Sequence, residues 1–159
     1  MEGLIEGMSR AFVKELDDAA GDELPDRPIS PHPNLVTPQG LAQIEAELAR
    51  LHAAARAAGE DRAARTAIAR EERYWVARRA SAQVIEPSAD TERVRFGATV
   101  TLQRDDGREQ RFRIVGEDEA DPECGTLSHV SPLARALMGK EPGDVVRVGD
   151  GDVEIVAIA

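Results

Sequence analysis

The chain has 159 residues, enough for one large domain or two small ones. Its net charge of −10 argues against a general nucleic-acid binder, which normally shows a basic footprint. No apolar run approaches the ~18 residues a membrane helix needs, no basic region followed by an apolar run opens the chain as in a secretory signal, and one cysteine, Cys124, forbids an intrachain disulfide. A cytoplasmic protein is the expectation. With three Phe, one Tyr and one Trp, the core must come mainly from Ala, Val, Leu and Ile. The charge is unevenly spread. Residues 1–36 carry 3 basic and 8 acidic side chains, residues 37–80 carry 8 and 6, and residues 81–159 carry 9 and 16, so the middle segment alone is net basic.

Residues 1–36 read as an acidic, proline-rich extension. A short helix is expected from Ser9 to Leu16. Pro25, Pro28, Pro31 and Pro33 then favour an extended linker. His32, between two of these prolines, reads as a linker histidine.

Residues 37–81 read as an α-helical hairpin. Thr37 caps the first helix and Pro38 occupies its first position, where no N–H is needed. Leu41, Ile44, Leu48, Leu51 and Ala55 recur in steps of three and four, the seam of a helix packed on a partner helix. Gly59 breaks the pattern. Asp61 can cap a second helix from about Arg62 to Ala80, bearing Ile68 and Trp75. Trp75 reads as packing. The eight arginines of the hairpin read as a solvated face that could also meet an acidic channel or nucleic acid.

Residues 82–159 read as an antiparallel sheet with one short helix, which makes the whole chain α+β. Strands are expected at Val94–Leu102, Glu109–Val115, Val145–Val148 and Val153–Ile158, with a hairpin turn at Asp105-Asp106-Gly107. Ser131 can cap the short helix, Pro132 suits its first position, Leu133, Ala136 and Leu137 give an apolar face, and Gly139 can end it in the left-handed conformation. The acidic run Glu117-Asp118-Glu119-Ala120-Asp121 reads as an exposed loop. A magnesium site there would lack a second ligand set. Cys124 reads as inert, and no Cys/His cluster has zinc spacing.

The run Val130-Ser131-Pro132-Leu133-Ala134-Arg135-Ala136-Leu137-Met138-Gly139-Lys140, with Pro142-Gly143-Asp144-Val145-Val146 after it, resembles the C-terminal domain of the GreA/GreB family of bacterial transcription elongation factors. Phe96-Gly97-Ala98-Thr99-Val100 and Phe112 to Asp121 extend the match, which covers roughly residues 37 to 159 with gaps. The resemblance implies an FKBP-like fold for this domain, and binding of bacterial RNA polymerase at the rim of its secondary channel. It places Ser131, Pro132, Leu133 and Arg135 at the polymerase contact, although the family's polar residue before Ser-Pro is here Val130. It further implies that the helical hairpin enters the channel. In the family, acids at the hairpin tip help bind the polymerase's own catalytic magnesium and a water, and the polymerase cuts the backtracked transcript.

Here the tip reads Gly59-Glu60-Asp61-Arg62-Ala63-Ala64-Arg65. Glu60 or Asp61 could stand for the family's first tip acid, while Arg62 and Arg65 lie where its second acidic group would be. The arms are also shorter than the family's by about ten residues each, or ~15 Å of reach, which resembles the shortened hairpin of Rnk. The expectation is therefore a polymerase-binding regulator of elongation with no enzyme activity or cofactor of its own, and with nucleic-acid contact confined to the polymerase complex. A transcript-cleavage factor acting through Glu60 and Asp61 is the alternative. A peptidyl-prolyl isomerase, suggested only by the fold, comes last, because Phe96 and Phe112 are the only aromatics available to a proline pocket in this domain.

Overall fold

The structure is a computed structural model that describes residues 24–159. The expected Ser9–Leu16 helix lies outside the described residues. In chain order the elements are β1 (Leu35–Val36), α1 (Pro38–Ala58), α2 (Arg62–Ser81), β2 (Gln83–Val84), β3 (Thr99–Arg104), β4 (Glu109–Val115), a 3-10 turn (Pro122–Cys124), β5 (Thr126–Ser128), α3 (Pro132–Leu137), β6 (Val145–Val148) and β7 (Gly151–Ile158). They form two compact units. Glu47–Ala77, the distal arms of the hairpin, group with residues 24–29. Ser30–Ala46 and Arg78–Ala159 form the other unit, so the base of the hairpin belongs with the sheet.

Both hairpin helices start and stop as their sequence dictates. The Thr37 hydroxyl accepts from the Gly40 N–H at 2.9 Å, and Pro38 takes the first turn of α1. Gly59 ends that helix at φ 58°, a left-handed conformation that glycine adopts without a Cβ penalty. Asp61 then caps α2, its carboxylate accepting from the Ala64 N–H at 3.1 Å. Ile44, Leu48 and Leu51 of the seam are buried. Within the distal unit, His52 of α1 lies 3.8 Å from the Glu72 carboxylate of α2, consistent with arms running side by side.

The other unit is built on a five-stranded sheet of order β5-β4-β3-β7-β6. Alternation sets its core face: Val100 and Leu102 of β3, Ile114 of β4, Val146 of β6 and Val153 and Ile155 of β7 point inward with Ala134 and Leu137 of α3. The register slips between Thr101 and Leu102 opposite β7, so that Ala157 pairs with Thr101 and Ile155 with Leu102. Val156 is the extra residue of a bulge. The bulge explains why Val156 and Ala157 are both exposed and why Ile158 returns to the core.

The sheet differs from the expected one in three ways. First, β5 joins β4 in parallel, so the sheet is mixed rather than wholly antiparallel. Second, β3 begins at Thr99, not Val94. Val94 and Phe96 are buried, but the Val94 N–H and carbonyl bond to Lys140 and Gly139 beyond α3 instead of to a strand. Their apolar character reflects core burial without a ladder. Third, β1 and β2 form a two-stranded parallel pair flanking the base of the hairpin. Two residues per strand are too few for a period to show in sequence.

Candidate functional site

Helix α3 displays the residues singled out for partner binding. The Ser131 hydroxyl accepts from the Ala134 N–H at 3.3 Å, which fixes it as the N-cap, with Pro132 next in the first turn. Leu133 packs partly buried against the core, and Ala134 and Leu137 are fully inside it. Gly139 has φ 75°, and its N–H donates to the Val94 carbonyl, so both ends of the helix are pinned. Pro132 and Arg135 are left facing solvent. The structure thus divides the candidate set. Ser131 and Leu133 hold the helix in place, whereas Pro132 and Arg135 are exposed to a partner. The Arg135 guanidinium lies 3.3 Å from the His32 Nε2, which brings the linker histidine to the same surface.

Behind α3, His129 stacks edge-on against Phe96 with ring centroids 5.5 Å apart. Burial holds its pKa below the ordinary histidine value, against the pull of the nearby Glu117 carboxylate. Among the described residues its Nε2 and the Glu117 Oε2 have no hydrogen-bond partner. Phe96 lies in the core and Phe112 packs against it, so these aromatics are internal packing.

At the hairpin tip, Glu60 and Asp61 are both exposed. Asp61 is occupied as the helix cap, while Glu60 lines a groove on the hairpin with Arg62 and Arg65. Among the described residues, no group of three or more His, Cys, Asp or Glu side chains is placed to hold a metal. The hairpin arginines are not one solvated face. Arg50 pairs with Glu47, Arg73 with Asp26, and Arg70 donates to the Pro25 carbonyl. Trp75 is half-buried and edge-stacked on Tyr74 at 5.1 Å, a packing role.

Arg78, at the hairpin base, is 1% exposed. Its Nε donates to Asp118 at 2.6 Å and its Nη2 to the Asn34 side-chain oxygen at 2.7 Å, and the Glu117 carboxylate lies 3.6 Å away. Asn34, also buried, donates in turn to the Arg78 carbonyl at 2.8 Å and to Ser81. Close by, the Thr37 hydroxyl donates to the Glu119 carboxylate. The expectation of an exposed acidic loop at 117–121 is therefore corrected. Asp118, Glu117 and Glu119 turn inward and fasten the first turn of α1 and the last turn of α2. Of the run, only Asp121 is exposed, together with residues 122–124. There the Asp121 carboxylate beside Cys124 raises the thiol pKa, which keeps this exposed cysteine protonated and a poor nucleophile.

A bulged, mixed sheet that carries a short capped helix and is preceded by a helical hairpin is the class of protein seen in bacterial elongation factors of the Gre type. Residues 89–159 match the family described as transcription elongation factor, GreA/GreB, C-term. By this domain the chain belongs to the GreA/GreB family. Transcription elongation factor GreA of Alkalilimnicola ehrlichii is 51% identical over 85 residues, which cover 49% of this chain and 54% of that protein. GreA of Paracoccus denitrificans is 49% identical over 82 residues, 48% of this chain and 53% of that one. The chain spans about half the length of the curated relatives it matches. The crystal structure of GreA factor homolog 1 of Thermus thermophilus aligns with 80% of this chain and 99% of its own at 20% identity, with a TM-score of 0.41.

Proposed function

We propose that the protein binds bacterial RNA polymerase and regulates transcript elongation in the cytoplasm. The C-terminal domain docks at the rim of the secondary channel, and the short hairpin enters the channel. The observation that carries this is the near 50% identity to GreA proteins across the domain that bears α3. The exposure of Pro132 and Arg135 on that pinned helix supports a docking role. An arginine in such a position suits a partner carboxylate, which its planar fork can grip through two hydrogen bonds.

The protein acts on the polymerase and is not itself an enzyme. Glu60 and Asp61 remain the residues that could reach the polymerase's magnesium. The cap formed by Asp61 and the ~15 Å shorter reach of the arms favour regulation without cleavage. A carboxylate must approach a metal to about 2 Å to act on it.

Co-elution with core RNA polymerase tests docking. Wild type is expected to co-elute, and Arg135→Glu to weaken binding without unfolding the domain. Failure of the wild type to bind would overturn the proposal. Transcript release from stalled, backtracked polymerase tests the alternative. Cleavage that appears with the wild type and is lost in Glu60→Gln with Asp61→Asn would establish a cleavage factor.

A further inference from the structure

The distal hairpin has a surface that the elongation role does not use. Residues 25–27 lie along α2 in an ordered clasp. Arg27 pairs with Glu71 at 2.7 Å and places its guanidinium 3.8 Å from the centre of the Tyr74 ring. Asp26 pairs with Arg73 at 2.7 Å, and the Pro25 carbonyl accepts from Arg70 at 2.6 Å. Traced backward, the chain therefore runs up α2 toward the tip. One to two turns ahead on that face lies an open groove of about 710 Å³, lined by Ala55, Arg62, Arg65, Thr66, Ile68 and Ala69 among others. Its floor is apolar and its rim carries two arginines.

The segment delivered to this point has matching chemistry. Residues 1–23 carry seven acidic and two basic side chains. Their apolar residues Ile5, Met8, Phe12 and Leu16 recur in steps of three, four and four, the spacing of one helix face. At 1.5 Å per residue, a helix from Ile5 to Leu16 is ~17 Å long, and α2 with its turn covers the same ~17 Å from Arg70 back to Gly59. We propose that residues 1–23 occupy this groove as a third helix, with Ile5, Met8, Phe12 and Leu16 on Ala55, Ile68 and Ala69 and the acidic side chains toward Arg62 and Arg65. The chain thereby covers the side of its own hairpin tip. This holds whether or not the protein binds polymerase.

Paramagnetic relaxation in the full chain tests it. With Cys124→Ser as background, a nitroxide is placed at Ser9→Cys, outside the apolar stripe. The amide signals of Thr66 and Ala69 are expected to fall below half their intensity when the label is oxidised, and to recover in the added variant Phe12→Asp. Unchanged signals would overturn the proposal, as would broadening that persists in Phe12→Asp. Broadening seen only when a labelled copy is mixed with an isotope-enriched unlabelled one would place a second copy in the groove and also overturn it. Unchanged far-ultraviolet circular dichroism of the arms shows that the variants remain folded.

Discussion

Replacing Arg78 by methionine removes a fully buried cation and leaves its partners in place. Asp118 and Glu117 keep their negative charge with side chains only 12% and 21% exposed, and the Asn34 oxygen loses its donor. Breaking a buried pair from one side costs about 3–5 kcal/mol. The residual exposure of both carboxylates lets water relieve part of this, so a loss near ~3 kcal/mol is expected. With a urea dependence of about 1.5 kcal/mol per molar, that moves the unfolding midpoint down by ~2 M. Asp118→Leu alone strands the arginine and should also destabilise. The double variant Arg78→Met/Asp118→Leu replaces a charge pair by apolar surface and should recover ~2 kcal/mol relative to the sum of the singles. Urea unfolding of the four proteins gives the coupling directly. A midpoint shift under ~0.5 M for Arg78→Met, or strict additivity in the cycle, would refute the assignment of Arg78 as the tie at the hairpin base.

Gly116→Ala should be strongly destabilising, because a Cβ there would sit 2.4 Å from the Leu35 carbonyl oxygen; thermal unfolding measures it. Ser131→Ala should lower stability by about 1 kcal/mol through loss of the α3 cap, whereas Ser131→Asp should largely preserve it. Leu137→Ala, which opens a cavity under the docking helix, should cost about 2–5 kcal/mol in the same assay. His129 gives a pH dependence. Its folded pKa lies below the ordinary value, so the unfolded chain binds the proton first, and stability falls as pH drops through about 6.5 and toward the lower folded pKa. The slope between about pH 7.5 and 5.5 should flatten in His129→Gln; an unchanged slope would assign the dependence elsewhere.

The local devices of this fold were legible because each is written in adjacent residues. Thr37-Pro38, Gly59, Asp61 and Ser131-Pro132 each act within one helical turn, and the structure uses them as caps and stops. The same proximity made Gly139 readable, since a helix end needs a positive φ there. What sequence could not show depends on long separations. Arg78 meets Asn34 and Asp118 across 44 and 40 positions, so nothing near any of them announces the pair. Seen in sequence, Arg78 is one of eight hairpin arginines, and Asp118 one acid in a run that looks solvated. The register slip that exposes Val156 has the same origin, since a bulge is defined only by the partner strand. At α3, sequence identified the helix but not which residues faced out. Packing against the sheet assigned Leu133 inward and Pro132 and Arg135 outward.

The placement of carboxylates argues for a hairpin that positions rather than reacts. A tip that assists metal chemistry needs acids with free oxygens at the furthest point of the arms. Here Asp61 has an oxygen committed to the Ala64 N–H, and the next residues are Arg62 and, one turn on, Arg65. Acids that could have served sit instead at the base, where Asp118 and Glu117 surround Arg78 and Glu119 holds Thr37. A buried ion network there contributes little net stability compared with well-packed apolar residues. It does fix the first turn of α1 and the last turn of α2 in the sheet unit, because the Arg78 fork accepts only a narrow set of partner directions. The twelve residues of α1 from Glu47 to Ala58 make an arm only ~18 Å long. Such a short arm with a fixed root can obstruct or brace a channel at a set depth. Lengthening both arms in register by seven residues, two turns or ~10 Å, should change its effect on elongation without altering affinity, because α3 is untouched. An affinity that changed in step with arm length would mean that the hairpin, not α3, carries the binding.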